Sequence, residues 1–277
     1  MAVHTALVTR PRTGFPFLDA GLDQSGAVLA FAHRGGAHHP DIRGLENTLA
    51  AFEHAVRLGY QYLETDVHAT RDGVLLAFHD TVLDRMTAGH GAVGTLTYAE
   101  VAGALIGGRE AIPTLEQPLE RFPGVRFNVD LKSDAAVQPL ARTIVATSSQ
   151  DRVCVGAFSE RRLRRFRRLA GPRVATACAP PAIAARRFLP GDRLVRLLGM
   201  QGDVLQVPHR RGRITVVTEA FVEKSHAAGV PVHVWTVDDP AEMRTLLDMG
   251  VDGLMTDRTD LLREVLLERG QWMGAAR

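Results

Sequence analysis

Residues 60–79 read Tyr60-Gln61-Tyr62-Leu63-Glu64-Thr65-Asp66-Val67-His68-Ala69-Thr70-Arg71-Asp72-Gly73-Val74-Leu75-Leu76-Ala77-Phe78-His79. Two runs of strand length, Tyr60 to Asp66 and Val74 to His79, are separated by only seven residues, Val67 to Gly73. A crossover between parallel strands needs roughly a dozen residues or more, so these two runs pair antiparallel as a hairpin. Its turn lies in Thr70-Arg71-Asp72-Gly73, where Asp-Gly supplies the positive φ that a tight turn requires. A turn centred on Arg71-Asp72 sets Glu64 opposite His79, and one centred on Asp72-Gly73 sets Asp66 opposite it. Either register brings His79 beside the acidic pair.

Working outward, further strand-length runs occur at Val28 to His33, Arg126 to Leu131, Val153 to Ala157, Arg173 to Ala177, Asp203 to Val207, Val232 to Thr236 and Asp252 to Thr256, with helical stretches between them. Alternating strands and helices imply βα units and a parallel sheet. With the hairpin's return arm set aside, eight parallel strands remain, the number that an α/β (β/α)8 TIM barrel requires. Helices are expected over Asn47 to Leu58, Tyr98 to Leu105, Leu115 to Phe122, Ala135 to Thr147, Glu160 to Leu169, Glu219 to Ala228, Pro240 to Met249 and Asp260 to Arg269. In the first of these Leu49, Phe52, Ala55 and Val56 make one apolar stripe, Asn47 or Thr48 is placed to cap it, and Gly59 stands where a helix-terminating glycine belongs. The glycine-rich stretch from Leu83 to Ile112 is expected to cover one side of the barrel mouth. The organisation expected is an N-terminal extension (1–26), one barrel domain (27–270) and a short tail (271–277).

Composition agrees with a single globular domain: 277 residues, 45% hydrophobic and 23% charged, with a formal net charge of +2. The two cysteines, Cys154 and Cys178, lie in apolar contexts without metal-ligand spacing and read as buried thiols. No signal-peptide pattern opens the chain and no stretch approaches the roughly 18 apolar residues of a membrane span, so a cytoplasmic location is expected. Nucleic-acid recognition finds no support, since aromatic residues are 6% and no reader motif occurs.

The chemistry collects at strand ends, where barrels carry their active sites. Glu64 and Asp66 are two residues apart on a strand and share a face that is otherwise apolar in a barrel; Asp130 ends the next barrel strand. Three carboxylates gathered there call for a hard divalent cation with oxygen ligands, Mg2+ or Ca2+, the reading without an ion being an exposed acidic turn. Lys132 points the same way as Asp130, and Arg34 follows His33; the two cations would balance phosphate oxygens or pair with the acids. His33 and His79 supply two imidazoles, whose pKa suits a base for the attacking hydroxyl and an acid for the leaving alkoxide. Together these residues are equipped for metal-assisted phosphodiester cleavage.

The sequence resembles the glycerophosphodiester phosphodiesterase family. The resemblance rests on His33-Arg34-Gly35-Gly36, on Glu46-Asn47-Thr48 continuing through Phe52, on Leu63-Glu64-Thr65-Asp66-Val67-His68, and on Thr70-Arg71-Asp72-Gly73. It continues with His79-Asp80 followed by Leu83, Arg85 and Thr87, with Ile112-Pro113-Thr114-Leu115-Glu116, Val234-Trp235-Thr236-Val237 and Gly253-Leu254-Met255-Thr256-Asp257. It implies a TIM barrel that hydrolyses glycerophosphodiesters to glycerol 3-phosphate and an alcohol with a divalent metal. The roles implied are acid and base for His33 and His79, metal ligation for Glu64, Asp66 and Asp130, and phosphate contacts for Arg34 and Lys132. Two departures stand out. The family has Glu at the position of Asp130, and Leu45 replaces the Pro before Glu46, in a longer loop through His38, His39 and Asp41.

Glu46 is expected to support the ligands from behind rather than bind the ion. Trp235 is expected either as an apolar wall for the substrate or as core, and His68, Asp80, His209 and His233 as polar rim residues. The run Arg161 to Arg168 holds six arginines, while Leu163, Phe166 and Leu169 share one helical face. A solvated helix exterior is the plain reading, peripheral contact with an anionic surface the sharper one. Two other functions fit the same residues: a phospholipase D-like enzyme for lysophospholipids or sphingolipids, which needs a larger apolar mouth, and a non-catalytic binding module.

Overall fold

The computed structural model describes residues 10–24, 26–189 and 201–274. Its strands, in chain order, are β1 (Leu29–Ala32), β2 (Tyr62–Ala69), β3 (Leu75–Ala77), β4 (Leu105–Ile106), β5 (Glu110–Ala111), β6 (Arg126–Leu131), β7 (Val153–Gly156), β8 (Ala175–Thr176), β9 (Leu205–Pro208), β10 (Arg210–Arg211), β11 (Ile214–Thr215), β12 (Val232–Trp235) and β13 (Gly253–Thr256). Parallel pairing runs β8-β7-β6-β2-β1-β13-β12-β9. The two ends meet through a parallel bridge from Ala177 to Val204, where the Cys178 amide donates to the Val204 carbonyl at 2.8 Å and the Asp203 amide to the Thr176 carbonyl at 2.7 Å. The sheet is thus the expected (β/α)8 barrel, with β3 paired antiparallel to β2 outside the ring.

The hairpin register is Val67↔Ala77, His68↔Leu76 and Ala69↔Leu75, centred on Asp72. Continued upward, it places His79 across from Thr65, midway between the two registers expected. A connection closed by the Thr70 side chain explains the odd count: Thr70 Oγ1 donates to Asp72 Oδ1 at 2.6 Å and accepts from the Val74 amide at 2.9 Å, while Gly73 takes φ 85°.

Alternation along the strands separates two cores. Leu63 and Val67 face outward into the layer shared with the helices, whereas Tyr62, Leu29, Phe31, Cys154, Ala175, Ala177 and Met255 fill the barrel interior. The interior is sealed from below by the short helix Pro16–Asp19, whose Phe17 and Leu18 are buried against it; the Tyr62 hydroxyl donates to the Phe17 carbonyl at 2.6 Å. Chemistry is thereby confined to the upper end. Both cysteines are free and buried, as expected.

The stretch from Leu83 to Ile112 folds onto the return arm, with Leu83, Val93, Val101, Ile106 and Ile112 packed on Leu76 and Phe78. The helix expected over Tyr98 to Leu105 ends at Val101. Thr97 and Glu100 close its first turn as a capping box, but Leu105–Ile106 leaves it to pair with Glu110–Ala111 around Gly107 and Gly108, at φ 58° and 71°. The arginine-rich helix, Glu160–Ala170, buries Leu163 and Phe166. Several of its guanidinium groups are engaged within the fold: Arg161 and Arg162 with Asp134, Arg164 and Arg167 with Glu160. Among the described residues no helix is long and apolar enough to cross a membrane.

His233, expected at the polar rim, instead lies in the barrel interior with 0% exposure, its ring 5.0 Å from that of Phe31 and neither nitrogen hydrogen-bonded. Gly253 makes room for it, since a Cβ there would meet His233 Cδ2 at 2.8 Å. Burial, with a smaller contribution from Arg10, pushes its pKa down to about 3. The unfolded chain takes up this proton near pH 6.5 while the fold refuses it, so stability is whole above that pH and falls as pH drops through the window down to about 3. The expected outcome for His233→Met is a smaller loss of unfolding free energy between pH 7 and 5 than wild type shows, by about 2 kcal/mol in urea titrations. Parallel losses in the two proteins would refute a buried neutral imidazole.

Candidate active site

The chain leaves β1 through a tight turn, His33–Gly35, in which Arg34 takes φ 51° and Gly35 and Gly36 take 85° and 94°. A Cβ on Gly35 would lie 2.8 Å from Ala51 Cβ, and one on Gly36 2.7 Å from Thr259 Cγ2, so the turn is pressed against two helices. This geometry aims His33 at Asp257, with Nδ1 to Oδ1 at 2.7 Å, and leaves Nε2 3.7 Å from Glu64 Oε2. The Arg34 amide donates to the same Glu64 oxygen at 3.1 Å, and its guanidinium bridges Glu46 Oε1 (3.1 Å) and Asp66 Oδ2 (3.2 Å).

Glu64 and Asp66 point inward from β2, and Asp66 is in register with Asp130 on β6. Lys132 Nζ lies between these two aspartates, 2.9 Å from Asp66 Oδ1 and 2.7 Å from Asp130 Oδ2. Burial beside Asp66 lifts the Glu64 carboxyl to about 7, against the pull of His33, Arg34 and Lys132. Asp66 goes the other way: burial opposes its charge, but Lys132 and Arg34 prevail and hold it below the ordinary carboxylate range. For His33, burial disfavours the cation, while Glu64 and then Asp257 outweigh it and raise the imidazole to about 9. The two carboxylates of β2 therefore differ because one holds both cations and the other faces an imidazole.

His79 follows the return arm and lines the same cavity. Its Nδ1 is 2.6 Å from Asp80 Oδ1, and Arg85 binds Asp80 through Nε (2.5 Å) and Nη2 (3.0 Å). Arg85 also bonds both oxygens of Glu46, at 3.1 and 2.6 Å, so an unbroken chain of charge runs from His79 through Asp80, Arg85, Glu46 and Arg34 to Asp66. The Arg85 contacts, ahead of His79, hold Asp80 down at about 2. His68 stands behind His79, its Nε2 3.1 Å from the His79 carbonyl.

The cavity, about 760 Å3, is lined by His33, Arg34, Glu64, Asp66, His79, Asp130 and Lys132 on one side and by Trp235 on the other. Trp235 stands edge-on to Phe158 with ring centroids 5.9 Å apart. His209, by contrast, pairs with Glu242 at 2.5 Å.

A family model described as the glycerophosphoryl diester phosphodiesterase family matches residues 33–261, which span the residues just placed. The chain belongs to this family. Members are hydrolases. The chain is 44% identical over 254 residues to "Probable glycerophosphodiester phosphodiesterase 2" of Mycobacterium tuberculosis, covering 90% of this chain and 95% of that one. Among solved structures, a glycerophosphodiester phosphodiesterase from Agrobacterium tumefaciens superposes with a TM-score of 0.70 at 25% identity, over 86% of this chain and 98% of that one. A phosphodiesterase from Oleispira antarctica, in complex with the product sn-glycerol-3-phosphate, superposes with a TM-score of 0.70 at 23% identity, over 86% and 96% of the two chains.

Several residues of the site have roles that the sequence does not assign: Asp257 and Asn128 carry none there, Asp80 is expected only at the polar rim, and Asn47 only as a possible helix cap. Asp257 and Asp80 hold the two imidazoles, although Asp80 is only the next residue after His79 and Asp257 merely closes the last of the family stretches. Asn128 precedes Asp130 by two positions on the same face of β6 and accepts from Gln206 Nε2 at 2.7 Å across the barrel; that spacing is the available signal. Thr48, not Asn47, caps helix Leu49–Arg57 by accepting from the Ala51 amide at 3.1 Å. Asn47 serves the site instead. At φ 60° and 1% exposed, it donates to Asp66 Oδ2 at 3.1 Å and accepts from Thr65 Oγ1 at 2.7 Å. Asn47→Ala should cost about 2–3 kcal/mol in chemical unfolding, from the unpaired Thr65 hydroxyl and the strained left-handed backbone. Asn47→Gly, which relieves only the strain, should recover part of that cost; an unchanged denaturation midpoint in both variants would contradict this assignment.

Proposed function

We propose that the chain hydrolyses glycerophosphodiesters to glycerol 3-phosphate and an alcohol, with His33 and His79 as the acid/base pair and a divalent metal, Mg2+ or Ca2+, as cofactor. The observation that carries the reading is a repeated arrangement. Each imidazole enters the same cavity with its Nδ1 fixed on a carboxylate, Asp257 for His33 and Asp80 for His79. A carboxylate on Nδ1 selects the tautomer, orients the ring and leaves Nε2 for proton transfer. The relatives named glycerophosphodiester phosphodiesterase support the substrate class, as does the glycerol 3-phosphate held by the Oleispira antarctica structure.

The residues fit a hard cation. The carboxylates of Glu64, Asp66 and Asp130 gather at the mouth on two paired strands, and all the donors are oxygens. Glu64 and Asp66 would hold the ion with Asp130, whose carboxylate is paired with Lys132 in this structure. Among the described residues, ligand groups within 4.8 Å of one another occur at His39, Asp41 and His54 and at His38, Asp238 and Asp257, while Lys132 intervenes in the trio proposed. When bound, the ion supplies charge stabilisation on the phosphoryl oxygens.

The chain's own residues do the rest. Arg34 and Lys132 present cations at the cavity wall for the phosphate, one histidine takes the proton of the attacking hydroxyl, and the other returns one to the leaving alkoxide.

Activity on glycerophosphocholine should depend on added Mg2+ or Ca2+ and vanish with EDTA, and His33→Ala and His79→Ala should each lower kcat by at least about 10²-fold. Turnover that persists in EDTA would remove the metal from the proposal, and full activity in either alanine variant would remove that histidine. Asp257→Asn should lower kcat about 10- to 100-fold with KM little changed, and move the pH limb belonging to His33 to more acid values, because a charge that raises the imidazole is lost. Combined with His33→Ala it should add little further loss; additive losses would separate Asp257 from His33.

A further inference from the structure

Two imidazoles meet a carboxylate between the turn after β1 and helix Leu49–Arg57, and none of the three lines the active-site cavity. His39 caps the short helical turn Pro40–Ile42, its Nδ1 accepting from the Asp41 amide at 3.2 Å. His54 stands in the last turn of the helix, and the two rings pack with centroids 4.3 Å apart at 55°. Asp41 Oδ2 lies 3.4 Å from His54 Nε2 and 4.0 Å from His39 Nδ1. One ligand atom from each of the three lies within 4.8 Å of the other two.

This is not an ordinary acidic surface cluster. His39 is 7% exposed and the His54 side chain 13%, while Asp41, at 72%, keeps a path open to solvent. Imidazoles in contact repel as cations, and burial disfavours either charge. Burial, and then His54, accordingly push the His39 pKa down. Because His39 Nδ1 accepts from an amide, it already carries the lone pair a metal needs, and ion binding would exchange that contact for the metal. Zinc holds nitrogen at about 2.0–2.1 Å and carboxylate oxygen at about 2.0–2.2 Å, so a tetrahedron sets its ligands about 3.3–3.5 Å apart. Asp41 and His54 already meet that spacing, and an exposed aspartate has room to turn toward His39. Two nitrogen donors select a transition ion over Mg2+ or Ca2+, which take oxygens.

We propose that His39, Asp41 and His54 bind Zn2+, with water in the fourth position, and that the ion clamps this loop to the helix. Binding here does not require the phosphodiesterase function proposed above. The clamp has work to do. Among the described residues, the buried apolar cluster beneath the loop consists of Ile42, Leu45 and Ala51, a thin anchor for the segment that delivers Glu46 and Asn47. Glu46 joins Arg34 to Arg85, and Asn47 donates to Asp66. A cross-link from His39 and Asp41 to His54 fixes that segment from both sides.

The test uses the untagged full chain, stripped of metal and held in excess Mg2+ so that oxygen-ligand sites are filled. Zn2+ is titrated calorimetrically, and Co2+ serves as the spectroscopic probe, since its visible absorption distinguishes tetrahedral from six-coordinate binding. Wild type should bind one Zn2+ at this site, melt at a higher temperature with Zn2+ than without, give a tetrahedral Co2+ spectrum, and exchange the amides of residues 39–48 more slowly when Zn2+ is bound. Asp41→Ala and His54→Ala should each weaken Zn2+ binding at least about 100-fold and abolish the Co2+ spectrum. Asp41 is exposed, so the metal-free Asp41→Ala protein should melt with metal-free wild type, which separates lost ligation from misfolding. No Zn2+ binding by wild type, a six-coordinate Co2+ spectrum, or wild-type affinity in both variants would overturn the site. Zn2+ binding that survives in both but is lost in Asp238→Ala would place the ion at His38, Asp238 and Asp257 instead. Zn2+ binding without slower exchange over residues 39–48 would overturn the clamp.

Discussion

Two carboxylates set side by side in a protein interior repel one another and resist desolvation, and the upper half of this barrel is organised around that fact. Glu64 and Asp66 share the inner face of β2 because residues two apart on a strand must do so, and both are almost fully buried. Their charge is met by three side chains from two strand ends. Arg34 arrives from the turn after β1, Lys132 from the end of β6, and His33 from the same turn as Arg34. Asn47 adds a neutral donor from a left-handed backbone position that is otherwise hard to account for. Removing the pair would leave the side chains of two neighbouring strand ends without a common partner.

The balance is uneven, and the unevenness has chemical consequences. Asp66 holds both cations and stays ionised, while Glu64 is left closer to neutrality beside His33. The second histidine stands apart from this centre but is tied to it through Asp80, Arg85, Glu46 and Arg34, so the two imidazoles are oriented by one connected set of charges. Glu46 thereby gains a concrete role: it joins the arginine of the first turn to the arginine behind the return arm. The other half of the mouth is lined differently, with Trp235 standing edge-on to Phe158 across from the acidic pair.

The barrel was legible in the sequence because its evidence is local. A seven-residue connection cannot hold a parallel crossover, and Thr70-Arg71-Asp72-Gly73 contains its own turn chemistry, so the hairpin and the strand count follow from spacing alone. The register was not legible. A side-chain bond from Thr70 to Asp72 decides it, and shifts the pairing by one residue from either expectation. The helix expected to reach Leu105 fails for a related reason: a short antiparallel pairing around Gly107 and Gly108 outcompetes continuation of a weak helix.

The sequence by itself determined which residues carry charge at strand ends and which strand faces they occupy, because the two-residue period of a strand and the short hairpin connection leave no alternative. His33, His79, Glu64, Asp66, Asp130, Arg34 and Lys132 all line one cavity on those grounds. Only the tertiary structure decided partnership. Asp257 meets His33 across 224 positions, and Gln206 meets Asn128 across 78; such contacts exist only once the barrel has closed. The same holds for His233, whose polar character suggests the rim although its strand position puts it in the interior, neutral and beside a glycine that leaves it room. Spacing in a chain encodes faces and turns; which faces meet, and at what charge, is a property of the closed barrel.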